Sequence, residues 1–203
     1  MAVIYQAGLQ RLKRGGPLLT GMLFALFLGL AVGLAAPQRM DAETLAHTRA
    51  AIGSYIQALP EADISPHAEC GRALLLNGAL IVFIGLSGLS LLGLPLSAAI
   101  LFAKGLSLGY AMSFLLDYQD ISGFVVIFLS LLPPNLLLIP LFVLSASLAA
   151  TFSLSLFRTQ AELGQRLRIY GLRFTAVLAL TALAAFVQGY ICPLLLTLFF
   201  VVI

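Results

Sequence analysis

Charge is what this 203-residue sequence has least of. Asp, Glu, Lys and Arg together make up 9 % of it, against about a quarter in a soluble domain. A chain so poor in charge cannot cover a water-facing surface, so a soluble globular domain is excluded. Tryptophan is absent, which leaves tyrosine to supply any aromatic belt at a membrane–water interface. The only cysteines, Cys70 and Cys192, lie far apart and form neither a metal-ligand spacing nor a disulfide framework. Two histidines, His47 and His67, stand outside any HExxH pattern. A zinc site needs three or four ligands in fixed geometry, so no metal is expected. No Gly-rich phosphate loop occurs, which leaves no expected cofactor. The net charge of +3 is small, and without a basic-aromatic pattern it gives no reason to expect nucleic acid.

What is present is apolar sequence in long runs, 61 % of the chain. The length allows one domain and the hydropathy makes it a membrane domain. The expected fold is all-α: a polytopic helical membrane protein of about five transmembrane helices with a proline-broken fourth segment. Residues 1–16, carrying Arg11, Lys13 and Arg14, form an N-terminal flank. Residues 17–203 form a single integral membrane domain. The first apolar run, Pro17 to Ala36, exceeds a signal-peptide core and reads as an uncleaved span. Residues 37–72 are the one sizeable polar segment. Asp41-Ala42-Glu43 opens an amphipathic helix there, with Leu45, Thr48, Ile52, Tyr55, Ile56 and Leu59 at helical spacing and Pro60 as its stop. A docking surface and a packed connector are equally open readings of it.

Spans over 73–92 and 96–116 follow, joined by Gly93-Leu94-Pro95 as a tight turn, and so form an antiparallel hairpin. Ile121 to Phe157 holds no charge. As a straight helix it would run about 55 Å at 1.5 Å per residue, against a hydrocarbon core of about 30 Å. Pro133, Pro134 and Pro140, with Asn135 among them, must therefore kink it or divide it into a half-helix and a full helix. The other spans are expected to pack around this break, because lipid cannot satisfy freed carbonyls. Residues 158–173 form a basic connector with Arg158, Arg166, Arg168 and Arg173. Phe174 to Gly189 is the last span, and Pro193 interrupts its continuation. Residues 194–203 are too short to cross alone, and either extend that helix or turn back. With five net crossings both basic clusters share one side, the cytoplasmic one by the positive-inside rule, so the N-terminus is expected inside the cell.

Two faces of small residues, Ala25/Gly29/Gly33 and Gly105/Gly109, permit close helix approach and could admit the broken segment; for the first, an ordinary lipid-facing stripe is an equally open reading. Lys104 is the one charge well inside a span. Its stem is long enough to snorkel towards the end at Pro95, while an intramembrane charge is also a functional candidate. Asn135 and Gln188 either bond freed backbone beside a proline break or coordinate an ion or polar substrate. Ser130, Ser145, Ser147 and Thr151 have no His or Asp at membrane depth to activate them, which argues against an intramembrane protease. Cys70 and Cys192 fall near the outer ends of spans and could oxidise if their Cα atoms came within about 7 Å.

Three stretches carry a resemblance: Gly93-Leu94-Pro95 followed by Lys104-Gly105-Leu106-Ser107-Leu108-Gly109, Leu129-Ser130-Leu131-Leu132-Pro133-Pro134-Asn135, and Val187-Gln188-Gly189-Tyr190-Ile191-Cys192-Pro193. In order and spacing the chain resembles the stage II sporulation protein M family over nearly its whole length. Many members of that family have His-Gly after the first proline and an acidic residue before the final one; here those places hold Pro134-Asn135 and Gln188. The resemblance implies a non-enzymatic scaffold in the bacterial cell membrane, at the sporulation septum and then the engulfing mother-cell membrane. Its implied partners are the peptidoglycan-degrading stage II sporulation proteins D and P, beside membrane lipids, with homo-oligomerisation open. The structural signature Pro133, Pro134, Asn135, Pro140, Gln188, Pro193, Gly105, Gly109 and Lys104 would serve the assembly. The alternative is a small transporter or permease subunit with a midplane site at the broken helices.

Overall fold

An apolar run in lipid must satisfy its backbone internally, and a helix does so within one segment. A computed structural model describes residues 2–58, 65–90, 92–117, 127–156 and 163–202, and among these there is no strand. The helices are α1 (Ala2–Ala35), α2 (Ala42–Ala58), α3 (Pro66–Ser87), α4 (Gly93–Asp117), α5 (Leu132–Leu156), α6 (Leu163–Phe186) and α7 (Cys192–Val202). A 3-10 turn, Ala36–Arg39, follows α1, and π turns at Ile127–Leu131 and Val187–Ile191 precede α5 and α7. Among the described residues five stretches are long and apolar enough to cross a membrane: Gly16–Arg39, Pro66–Ser87, Gly93–Leu116, Phe128–Leu156 and Leu163–Leu196.

The element ends follow from proline chemistry, and several differ from the sequence reading. Pro66 opens α3 at its first position, where the absent N–H costs nothing. His67, Glu69, Cys70 and Arg72 therefore belong to a spanning helix and not to the polar segment before it. Pro95 likewise falls in the first turn of α4. The reversal between α3 and α4 thus lies before Gly93, with Gly88 N–H donating to Ile84 O and Ser90 N–H to Ser87 O. Of the connector expected over residues 158–173, residues 163–173 are the beginning of α6, and 158–162 lie outside the described residues. Asp41 opens α2 by accepting a hydrogen bond from Thr44 N at 2.8 Å. Pro60, the expected stop of α2, lies outside the described residues.

Both proline interruptions are wound, not broken. Residues 127–131 form a π turn that runs directly into α5, so the described part of the fourth segment has no gap between half-helices. The end of the chain does the same: Val187–Ile191 is a π turn and α7 continues beyond it. That decides the fate of residues 194–202, which extend the fifth spanning helix.

The fourth spanning segment is the centre of the bundle. Of its most apolar window 56 % is buried, against 22–39 % for the other four. It packs against α1, α3, α4 and α6. Phe142, Ala146, Ala149 and Ala150 on it are fully buried, with Ile81, Ile84 and Leu101 around them. Small alanines let neighbouring helices come close where lipid supplies no hydrophobic drive between them. The opposite surfaces of the outer helices expose Phe24, Phe27, Leu75, Phe83 and Leu172. The glycine faces do not admit the proline segment; they meet each other. A Cβ on Gly29 would strike Phe102 O, one on Gly33 Leu106 O, one on Gly105 Leu26 O and one on Gly109 Leu30 O. Two backbones this close leave no room for a β-carbon, which is why both faces must be glycine.

Candidate functional site

The α3–α4 hairpin fixes the site's geometry. Residues equally far from a reversal lie opposite one another, and Asn77 and Lys104 are such a pair. Each sits near the middle of its spanning stretch. Lys104 Nζ donates to Asn77 Oδ1 at 2.9 Å. Asn77 Nδ2 donates to Ala73 O at 2.9 Å, which turns the oxygen of the buried amide towards the lysine. The ammonium also stands 5.1 Å from the centroid of the Phe142 ring, a cation–π contact with the central helix. Snorkelling towards Pro95 is therefore not what this side chain does: two partners hold it at mid-span.

Beside this pair lies a cavity of about 870 Å³ between α3, α4, the first π turn and the start of α5. Its polar wall comprises Arg72, Lys104, Ser107, Ser130, Asn135 and Gln188, with Glu69 at the same end as Arg72. Leu76, Leu80 and Phe83 form the apolar wall.

The two π turns share one construction. Ile127–Leu131 is followed by one residue and then Pro133; Val187–Ile191 is followed by one residue and then Pro193. Proline offers no donor to the carbonyl four residues before it, and a local π register accommodates the mismatch. At the first turn Asn135 Nδ2 donates to Leu131 O at 2.7 Å, capping backbone beside the prolines. The turns are also linked in space: α7 packs against the first π turn, and the second packs against α3. Gly189 lies so close to Cys70 that a Cβ there would fall 2.5 Å from the Cys70 Cβ. Tyr190 hydrogen-bonds His67 Nδ1, and their rings meet edge to face at 5.5 Å. Cys70 and Cys192 are both free.

The cavity thus brings together Lys104, Pro134, Asn135 and Gln188 from the sequence-predicted residues. It leaves out Gly105 and Gly109, which serve the α1–α4 contact. Pro140 is exposed within α5, and Pro193 is in the first turn of α7. Asn77 and Ser107 were missed as site residues. Asn77 was detectable as an amide directly after three leucines on one arm of a hairpin whose other arm carries a lysine.

Two hydroxyls of the central helix are engaged in its own backbone, while the buried Ser147 Oγ has no partner among the described residues. Ser145 donates to Leu141 O at 2.6 Å and Thr151 to Ser147 O at 2.6 Å. The other end of the bundle is pinned by side chains: Ser153 donates to Ser90 O at 2.7 Å and Tyr170 to Gly85 O at 2.8 Å. Tyr170 is stacked on Phe152 at 4.3 Å. One end of the bundle is thus tied by side chains, and a polar, charge-bearing cavity reaches mid-span beyond it.

Residues 19–193 match the family described as stage II sporulation protein M. No curated protein and no solved structure matches the chain.

Proposed function

The chain belongs to the stage II sporulation protein M family, and on that premise we propose that it is a non-enzymatic membrane scaffold of sporulation. In this reading it recruits or organises peptidoglycan-degrading partners, stage II sporulation proteins D and P, during engulfment of the forespore. The family match over residues 19–193 is the observation that carries it. The setting of α2 supports it. Leu45, Thr48 and Ile52 are half-buried on one side of that helix, while Glu43, His47 and Gln57 stand exposed. A helix seated on the bundle by one stripe leaves the rest of its surface for a partner. The test is affinity purification of the full chain from sporulating cells, with imaging of a fluorescent fusion. Co-purification of peptidoglycan-degrading proteins and enrichment at the engulfing membrane are expected. Absence of such proteins with uniform membrane distribution would overturn the scaffold reading.

The cavity favours a second reading, a small transporter or permease subunit. It joins an intramembrane lysine to Asn135 and Gln188 at two interrupted helices, and interrupted helices line midplane sites in secondary transporters. Solute flux into liposomes holding only this protein would support that reading, and sealed liposomes would count against it.

A further inference from the structure

We propose that the cavity between α3, α4 and the first π turn binds an anionic amphiphile, with an acidic head group on Lys104 and an apolar chain leading into the bilayer. The inference goes beyond both functional readings and depends on neither. It starts from charge. Lys104 Nζ has an amide oxygen and an aromatic ring as partners, and among the described residues no carboxylate pairs with it. Neither partner neutralises an ammonium, and a charge at membrane depth is costly until it is paired. Three hydrogens are available on the ammonium and Asn77 takes one. At the other end of the cavity Glu69 and Arg72 cancel in formal charge, so the cavity's excess is the single positive charge of Lys104. The matching ligand carries one negative charge at mid-span.

Further donors face the same space. Ser107 and Gln188 line the cavity, and neither side chain has a hydrogen-bond partner among the described residues. Asn135 uses one amide hydrogen on Leu131 O and keeps a second. A carboxylate or phosphate oxygen could accept from several of these groups at once.

Shape separates an amphiphile from the alternatives. A volume of about 870 Å³ is within the range of small-molecule sites, about 300–1,000 Å³. A spanning helix of about 30 Å length and 10–12 Å diameter occupies on the order of 2,500 Å³ by that geometry, so a partner helix does not fit inside. A small soluble anion would leave the apolar wall unused. That wall is open: Leu76 and Phe83 are 53 % and 52 % exposed, giving an acyl or isoprenyl chain a lateral exit into lipid.

The test uses the full chain in phosphatidylcholine nanodiscs, titrated with oleate, phosphatidate, oleyl alcohol and inorganic phosphate, with bound ligand counted by native mass spectrometry. Saturable binding of one oleate or phosphatidate per chain is expected, with at least tenfold weaker binding of oleyl alcohol and inorganic phosphate. Oleate alone would identify a carboxylate head and phosphatidate alone a phosphate head; either supports the site. Lys104→Gln should lose at least tenfold in affinity and Lys104→Arg should retain most of it. Ser107→Phe, which sets a ring into the cavity about one turn from Lys104 and keeps the charge, should also weaken binding at least tenfold, and it decides the matter if Lys104→Gln fails to fold. Leu172→Ala, on the exposed side of α6, should bind as the parent does. Unchanged affinity in folded Lys104→Gln or in Ser107→Phe would overturn the proposal. So would equal binding of oleyl alcohol, or a co-purified single-span protein whose retention depends on Lys104 while no lipid is bound.

Discussion

Lys104 stays at mid-span because Asn77 is there to hold it. A lysine stem can carry its ammonium to the interface when nothing at depth competes. Here the competing partner is an amide whose own N–H is anchored on Ala73 O. A hydrogen bond to a charged group is worth about 1.5–3 kcal/mol. Asn135 makes a neutral, local bond to Leu131 O, and a neutral hydrogen bond contributes about 0.5–1.5 kcal/mol. Two substitutions therefore rank differently. Asn77→Leu should cost about 2 kcal/mol and Asn135→Leu about 1 kcal/mol, both with every span retained. Thermal unfolding in a mild detergent measures the order, and an Asn135→Leu protein less stable than Asn77→Leu would contradict it.

Between elements, backbone approach does more than side-chain fit. α1 and α4 meet glycine to glycine, and a methyl group on Gly105 would overlap Leu26 O. Overpacking of this kind costs about 1–3 kcal/mol, so Gly105→Ala should lower the unfolding temperature. Gly71→Ala, where a Cβ meets nothing within 4 Å, should not lower it, and an equal loss for both would refute the contact. α2 depends on a different term. Asp41 caps it, and the backbone N–H of Thr44 holds the Asp41 carboxyl below its ordinary value of 3.8. A depressed carboxylate pKa stabilises the helix above the ordinary value and ceases to do so as pH falls through the lowered one. A spin label on exposed Ala46 should therefore gain mobility only below about pH 4, the ordinary aspartate range. Asp41→Asn, which keeps a capping side chain, should remove that pH dependence.

At the scale of the whole molecule the five apolar helices leave one question for charge to answer. Arg166, Arg168 and Arg173 lie on the first half of α6, and Arg11, Lys13 and Arg14 precede the first span. Four spanning stretches separate the two groups, and an even number of crossings puts both on one face, which is the cytoplasmic one if positive residues decide it. With Cys70 and Cys192 replaced by Ser, a membrane-impermeant thiol reagent applied outside intact cells should label Ala46→Cys and not Gln165→Cys. Labelling of both from outside would overturn an N-terminus-inside orientation.

Hydropathy and proline placement are local, so the chain by itself determined an all-helical membrane fold, the number of spanning stretches and the site of each interruption. The double proline at 133 and 134 announced a mismatch in hydrogen bonding, and Asn135 nearby announced a capping group. The winding of that mismatch was not legible. A kink, a gap and a π turn all serve a missing donor, and packing against α1, α3, α4 and α6 selected the last. The glycine faces were visible as faces, but the face each one meets depends on which helices become neighbours. Gly105 and Gly109 lie against α1 and leave the proline segment to the alanines of its own helix. The partner of Lys104 was decided the same way. A sequence shows that a charge lies within a span; only the antiparallel register of α3 and α4 places Asn77 opposite it and opens the cavity beside them.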